Sequence, residues 1–209
     1  MPLARNVNEY IQKQRMAVAQ NPECGTSHYN LAIGLLGLKQ YEEAEKELLA
    51  AIDCSPTLAE AYVQIGGICL AKGDLDGCLD WNKRAVHARA GFSEGWGNIG
   101  FVHLQKGEVE EAIYALEKAV RWNPKFIQAL ASLANAYLAQ GDVEKSIETG
   151  CRVLDLEPDF AVAHNNLAVA YLENGQVEEA AQHAKKAESL GYPVAPEIKK
   201  ELAAARRSG

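Results

Sequence analysis

The sequence predicts an all-α protein built from consecutive pairs of amphipathic helices. Residues of the same type recur every 34 residues, and each period contains two apolar stripes with helical spacing. A Gly separates the two stripes in most periods, and a Pro closes most of them. With 48% hydrophobic residues, 23% charged residues and 7 Pro among 209, the protein has the composition of a folded polypeptide.

Four kinds of position define the period. The first helix carries a packing residue, at His28, Tyr62, Trp96, Leu130 and His164. Small residues follow four positions later, at Ala32, Gly66, Gly100, Ala134 and Ala168. Glycine occupies the turn at Gly73, Gly107, Gly141 and Gly175, with Lys39 as the exception. Prolines close three periods, at Pro56, Pro124 and Pro158, and Ala90 replaces the proline of the second period.

Each type of residue has a physical role in a helix-turn-helix unit. Gly107 can adopt the positive φ that ends the first helix of the third period. The acidic residues after it, Glu108, Glu110 and Glu111, lie at the positive end of the next helix dipole. Small residues such as Gly100 allow two helices to approach closely, and a larger side chain would overpack their crossing.

This pattern resembles the tetratricopeptide repeat (TPR) family. The resemblance implies a right-handed αα superhelix, or solenoid, with repeats at 25–58, 59–92, 93–126, 127–160 and 161–194. Residues 1–24 and 195–209 are expected to form terminal capping helices, because a solenoid needs a polar cover at each end. The predicted C-terminal cap has an apolar stripe at Val194, Ile198, Leu202 and Ala205, and solvent-facing Arg206 and Arg207.

Charge and composition narrow the partners and the location. The formal charge is -7, so the protein should be repelled by nucleic acid and by anionic membrane surfaces. The first residues lack the apolar stretch of a secretory leader, and no window is long and apolar enough to span a bilayer. We therefore expect a cytoplasmic protein that binds another protein or a peptide.

Catalytic and metal-binding motifs are missing from the sequence. It contains no G-x-S-x-G, no H-E-x-x-H and no phosphate-binding loop. The five cysteines form no C-x-x-C pair, and the five histidines have no partner at ligand spacing. We expect no enzyme activity, no cofactor and no metal.

The TPR resemblance implies that the first helices line a concave groove. By register the candidate peptide-binding residues are Tyr29, Asn30, Ile33, Val63, Gln64, Asn98, Phe101, Asn135, Asn165 and Asn166. None of the inward positions is Lys or Arg, whereas Glu60 and Glu94 are acidic. TPR co-chaperones that hold the carboxylate of heat-shock-protein tails use a cationic clamp, so we do not expect this protein to bind such acidic tails.

An amide ladder occupies one position of the period, at Asn30, Gln64, Asn98, Ser132 and Asn166. A carboxamide both donates and accepts, so it can pair with the backbone of an extended peptide. This series resembles the asparagine ladder in the TPR superhelix of O-linked N-acetylglucosamine transferase. The alternative is that these amides bond within or between neighbouring repeats.

These observations favour a non-enzymatic adaptor or scaffold that binds an extended, neutral to basic peptide. An assembly chaperone that holds subunits of a larger complex and a self-associating scaffold remain alternatives. The junction at residues 87–97 contains three glycines and no terminating Pro. It is either a hinge between repeats or a segment that Phe92 and Trp96 pack rigidly.

Overall fold

The computed structural model describes the backbone of residues 2–208 and the side chains of residues 7–204. These residues form α-helices and no strand, which confirms the all-α class. The helices are α1 (Pro2–Gln20), α2 (Gly25–Gly37), α3 (Tyr41–Cys54), α4 (Ala59–Ala71), α5 (Leu75–Ala88), α6 (Ser93–Lys106), α7 (Val109–Trp122), α8 (Ile127–Gln140), α9 (Val143–Leu156), α10 (Ala161–Glu173), α11 (Val177–Ser189) and α12 (Pro196–Ser208).

The helices form two compact units, of which the first ends at Ile99 and the second begins at Gly100. In the first unit each of α1 to α4 packs against the next helix in sequence. In the second unit α7 to α12 pack in the same sequential way, and α8 also contacts α10. This nearest-neighbour packing is typical of repeat proteins, in which each repeat buries its apolar face against the next.

The paired helices begin at intervals of 34 residues, at Gly25, Ala59, Ser93, Ile127 and Ala161. Two further helices, α1 and α12, flank these pairs. Ile11 of α1 is buried in the core of the first unit, and Leu202 of α12 is buried in a core of the second. Val194 is buried and Ile198 half-buried, as the apolar stripe predicted, while the side chains of Ala205, Arg206 and Arg207 lie outside the described residues.

The turn inside each pair requires a left-handed residue. Four glycines adopt it: Gly73 (φ 78°), Gly107 (76°), Gly141 (87°) and Gly175 (75°). Lys39, the exception in the sequence pattern, adopts the same conformation with φ 58°. A Cβ in this region is strained, so the turn of the first pair is formed at a cost that the other turns avoid.

Small residues lie where the helices of a pair cross. A Cβ on Gly100 would lie 3.1 Å from the carbonyl oxygen of Ala112 on α7. A Cβ on Gly66 would lie 2.5 Å from the Asn82 amide nitrogen on α5. The predicted role of these positions is therefore confirmed: a larger side chain would separate the helices.

The packing residue of four periods also bonds to the loop that precedes its helix. His28, Tyr62, Trp96 and His164 each place a ring nitrogen or hydroxyl 2.9 to 3.2 Å from the carbonyl oxygen six residues earlier. Leu130 has no polar atom and cannot make this bond. The acceptors are Pro22, Pro56, Ala90 and Pro158. A side chain thus ties the end of one pair to the start of the next.

Two of these residues are histidines with opposite electrostatic surroundings. The second nitrogen of His28 lies 2.6 Å from Glu47 Oε2, so both ring nitrogens face acceptors and the imidazolium form fits best. Burial lowers the pKa of His28, but hydrogen bonds with Glu47 and the Pro22 carbonyl raise it by more. His164 instead faces His183 at 2.8 Å between the Nδ1 atoms, and burial together with His164 lowers the pKa of His183.

Replacement of Lys39 by Gly should raise the free energy of unfolding by about 1 kcal/mol, because it removes the strain of a left-handed Cβ. The matched control is Gly141→Lys, where a Cβ would meet nothing within 4 Å and only backbone strain is added. It should lower stability by a similar amount. Urea midpoints check both, and a lower midpoint for Lys39→Gly would contradict this explanation of the turn.

The pairing of His28 with Glu47 should make stability fall as pH rises. The folded pKa of His28 lies above its unfolded value, so the contribution is complete below the unfolded pKa and is lost as pH rises through the folded pKa. Glu47→Gln should cost about 1 kcal/mol near pH 6 and progressively less at higher pH. Urea unfolding between pH 6 and roughly pH 9 measures the difference.

The control for this pH series is Glu110→Gln, because Glu110 is an exposed carboxyl on α7. Its effect on stability should be the same at both ends of the pH range. A cost for Glu47→Gln that grows with pH would show that the charged pair does not stabilise the fold.

Candidate functional site

The first-helix face of the first unit is formed by α2 and α4. Tyr29 of α2 and Gln64 of α4 are half-buried. Burial raises the pKa of Tyr29, the negative charge of Glu60 raises it further, and the polar Gln64 side chain opposes both. Gln64 therefore lies near enough to Tyr29 to affect the pKa of its phenol. Asn30 and Ile33 are half-buried on α2.

Val63 belongs in part to the scaffold. It packs against a small buried cluster formed by Ala59, Ala85 and Phe92. Gly67, one turn further along α4, is exposed, and a Cβ placed there would meet nothing within 4 Å. The open part of the α4 face is thus its C-terminal half.

Arg89 brings a cation to this face, which the sequence pattern did not predict. Its guanidinium donates to Glu60 Oε1 at 2.7 Å and lies 4.2 Å from the centre of the Phe92 ring. The other oxygen of Glu60 is buried and has no hydrogen-bond partner among residues 7–204. Glu94 accepts a bond from the Ser93 hydroxyl at 3.0 Å. Arg89 therefore compensates the charge of Glu60. Glu94 bonds only to a neutral hydroxyl, so its negative charge is not compensated by this contact.

Asn98 is bonded to the scaffold. Its amide donates to Asn82 Oδ1 at 3.0 Å, and Asn82, which is fully buried, donates to the Cys78 carbonyl at 2.8 Å. Position 82 corresponds by the 34-residue period to Leu48 and Leu116, both fully buried. The sequence analysis did not identify Asn82 as a residue of this site. An Asn at a position that holds Leu in two other repeats is the feature that could have revealed it. At Asn98 the amide of the ladder therefore donates one hydrogen bond to the scaffold.

The second unit presents amides that remain available. Asn135 on α8 is exposed, and its side chain has no hydrogen-bond partner within residues 7–204. Asn165 and Asn166 on α10 are half-buried and are joined only by a long contact of 3.4 Å. Because α8 and α10 contact each other, these amides lie on adjoining helices. Phe101, 38% exposed on α6, is an apolar residue of the same unit.

Imidazoles, thiols and phenols are present among the described residues. No group of three or more His, Cys, Asp or Glu side chains there could hold a metal ion. All five cysteines are free thiols. Burial and a hydrogen bond with Cys151 raise the pKa of Tyr171 to about 12, so its phenol stays neutral at physiological pH. The helices described are all too short or too polar to cross a bilayer.

Comparison with protein families gives two matches. A family model described as TPR repeat matches residues 100–141. A model described as tetratricopeptide repeat matches residues 15–59 and 132–193, which together make up just over half of the 209 residues. No curated protein gives a significant match to the sequence.

Solved structures share the fold at low sequence identity. YrrB, a TPR protein with an unusual peptide-binding site, is 20% identical with a TM-score of 0.71 over 93% of this protein and 97% of its own length. PilF of Pseudomonas aeruginosa is 17% identical with a TM-score of 0.81 over 96% and 91%. MamA of Desulfovibrio magneticus is 23% identical with a TM-score of 0.69 over 80% and 94%. These similarities show that the protein has the TPR fold.

The different surroundings of Asn98 and Asn135 lead to a testable difference. Asn98→Ala leaves the buried Asn82 oxygen without a donor and should cost about 1–3 kcal/mol of stability. Asn135→Ala removes an exposed amide and should change stability by less than about 0.5 kcal/mol. Urea unfolding measures both. Equal costs for the two variants would show that Asn98 is not part of the scaffold.

Proposed function

Because the chain belongs to the TPR family, we propose that it is a non-enzymatic cytoplasmic adaptor that binds an extended, neutral to basic segment of another protein. The observation that carries this proposal is the set of available amides on α8 and α10, at Asn135, Asn165 and Asn166. An amide bonds equally well to a backbone N–H and to a backbone C=O. Such a surface binds peptide backbone and leaves the choice of sequence to neighbouring side chains.

The charge of the protein supports the preferred type of peptide. The net charge is -7, and the first-helix positions expected to line the groove contribute no Lys or Arg. Arg89, at the end of α5, forms an ion pair with Glu60, so its positive charge is already compensated. An acidic tail would therefore find no free cation at these positions, and a nucleic acid would be repelled by the protein as a whole.

The fold relatives are compatible with this proposal. YrrB is described as a TPR protein with an unusual peptide-binding site, which makes peptide recognition a reasonable function for the shared fold. An assembly chaperone is a second candidate, favoured by the same amides, because backbone contacts tolerate many sequences. Self-association is a third candidate, and light scattering tests it: a constant mass near 22.7 kDa at all concentrations excludes it.

The proposal is tested with a displayed library of random peptides selected on the purified protein. Selected peptides should be extended and neutral to basic, and titration calorimetry should show that Asn135→Ala/Asn166→Ala weakens them by about tenfold or more. The double variant should keep its melting temperature, since Asn135 has no bond to lose and Asn166 has only the long contact with Asn165. A synthetic peptide with an acidic C-terminus should not bind.

Leu156→Ser is the control, because Leu156 is 38% exposed on the second helix of the fourth pair. It should leave peptide affinity unchanged. Selection of acidic peptides, or equal affinity for the wild type and the Asn variant, would contradict the proposed face. Suppression of the aggregation of many unrelated unfolded proteins without selection of any peptide would favour the chaperone.

A further inference from the structure

A second surface of the first unit is a groove between the second helices α3 and α5, which we name the α3/α5 groove. Its volume is about 640 Å³. Leu49 and Ile52 of α3 line one side, Trp81 of α5 lines the other, and Tyr62 lies between them. The rings of Tyr62 and Trp81 are 6.1 Å apart at 46°. The groove is therefore lined by apolar side chains and is open to solvent.

Two of these side chains are apolar where the repeat does not require it. Positions equivalent to Leu49 in the later repeats hold Lys83, Glu117, Cys151 and Lys185. Positions equivalent to Trp81 hold Glu47, Ala115, Thr149 and His183. Leu49 is 41% exposed and is not part of any described core cluster. Trp81 packs in part against the core of the first unit, so folding of the repeat accounts for some of its apolar character but not for the exposed Leu49.

The α5 side of the groove is basic. Lys83, Arg84 and His87 line it, against Asp53 on the α3 side. Lys83 and Arg84 form no ion pair with any residue in the range 7–204, and Arg84 lies 4.5 Å from the centre of the Trp81 ring. The protein has a net charge of -7, but the α5 side of this groove is locally positive and lies next to the apolar lining.

The second unit has an equivalent groove that is built differently. It lies between α7 and α9 and has a volume of about 350 Å³. Glu117 and Thr149 stand where the first unit has Leu49 and Trp81. Glu117 accepts a hydrogen bond from the Tyr137 hydroxyl at 2.7 Å, which closes part of the space. The α7/α9 groove, which lacks the Leu and Trp, is smaller and more polar than the α3/α5 groove. The size and apolar lining of the α3/α5 groove therefore come from its own side chains and not from the repeat fold.

We propose that the α3/α5 groove binds an acidic amphipathic helix of a partner protein. Apolar side chains of that helix, spaced three and four residues apart, pack on Leu49, Ile52 and Trp81. Its carboxylates pair with Lys83 and Arg84, neither of which forms an ion pair with another residue in the range 7–204. A second interaction surface of this kind lets the adaptor hold a helical partner independently of the extended peptide on the first-helix face.

The test uses a labelled helical peptide of 14 residues, the length of α5, with Leu along one face and Glu on the flanks. Fluorescence anisotropy should show saturable binding that weakens with added salt. A second peptide with Lys in place of every Glu should bind about tenfold more weakly or worse. Equal binding of the two peptides, or no binding of either, overturns the proposal.

Substitutions at one position of the period separate this groove from a general charge effect. Leu49→Glu and Lys83→Glu should each reduce affinity for the acidic peptide by about tenfold. Residues 49, 83 and 117 occupy equivalent positions of the period, and position 117 holds Glu. The fold should therefore tolerate Glu at positions 49 and 83, and melting curves check this. The controls are Lys185→Glu, at the equivalent position of the fifth repeat, and Leu156→Glu, another exposed leucine. Equal losses in these controls overturn the proposal.

The oligomeric state decides between a partner and a second copy of this protein. Light scattering of the wild type should give the monomer mass of 22.7 kDa without the peptide, and the mass of one monomer plus one peptide when the peptide is bound. A dimer that Leu49→Glu converts to monomer, without binding of the acidic peptide, would show that a second copy fills the groove and would overturn the proposal. Asn135→Ala/Asn166→Ala should leave affinity for the helical peptide unchanged, which distinguishes this surface from the first-helix face.

Discussion

Close contact between the two helices of each pair governs the architecture. It requires small residues at the crossing, such as Ala32 and Ala44, both fully buried. At Gly66 a methyl group would clash with the Asn82 side chain, and at Gly100 it would clash with the Leu116 side chain. Because a single pair cannot cover its own apolar face, neighbouring pairs within each unit must stack.

The helices, turns and crossings could be predicted from the sequence because each depends on residues that recur with the period. Lys39 departs from the residue pattern but not from the backbone pattern, because it adopts the same left-handed conformation as the glycines at this position in the other repeats. The contacts that modify the site could not be predicted in this way. Arg89 with Glu60, and His164 with His183, join residues on different helices, and no spacing along the sequence encodes these contacts. Asn82 and Leu49 were detectable only as departures from the residue type of their own position.

The amide ladder shows how one sequence feature can divide into two roles. Asn98 completes a buried network in the first unit, where Asn82 provides the acceptor. In the second unit Gly150 stands at the position of Asn82, so no side chain there can hold an amide from the next first helix. Whether an amide is structural or available therefore depends on the residue of the preceding second helix. A neighbouring residue also changes the role of Glu60. Because Glu60 is paired with Arg89, it attracts basic peptides less strongly than an unpaired carboxylate would.

The proposed function depends on contact between the amides of the second unit and a bound peptide. Nuclear magnetic resonance of the Asn amide NH₂ groups detects this contact, with the tightest selected peptide added to the full-length protein. The signals of Asn135, Asn165 and Asn166 should shift, while those of Asn82 and Asn98 should stay in place. Shifts confined to Asn82 and Asn98, or to residues of the second helices, would show that the peptide binds elsewhere.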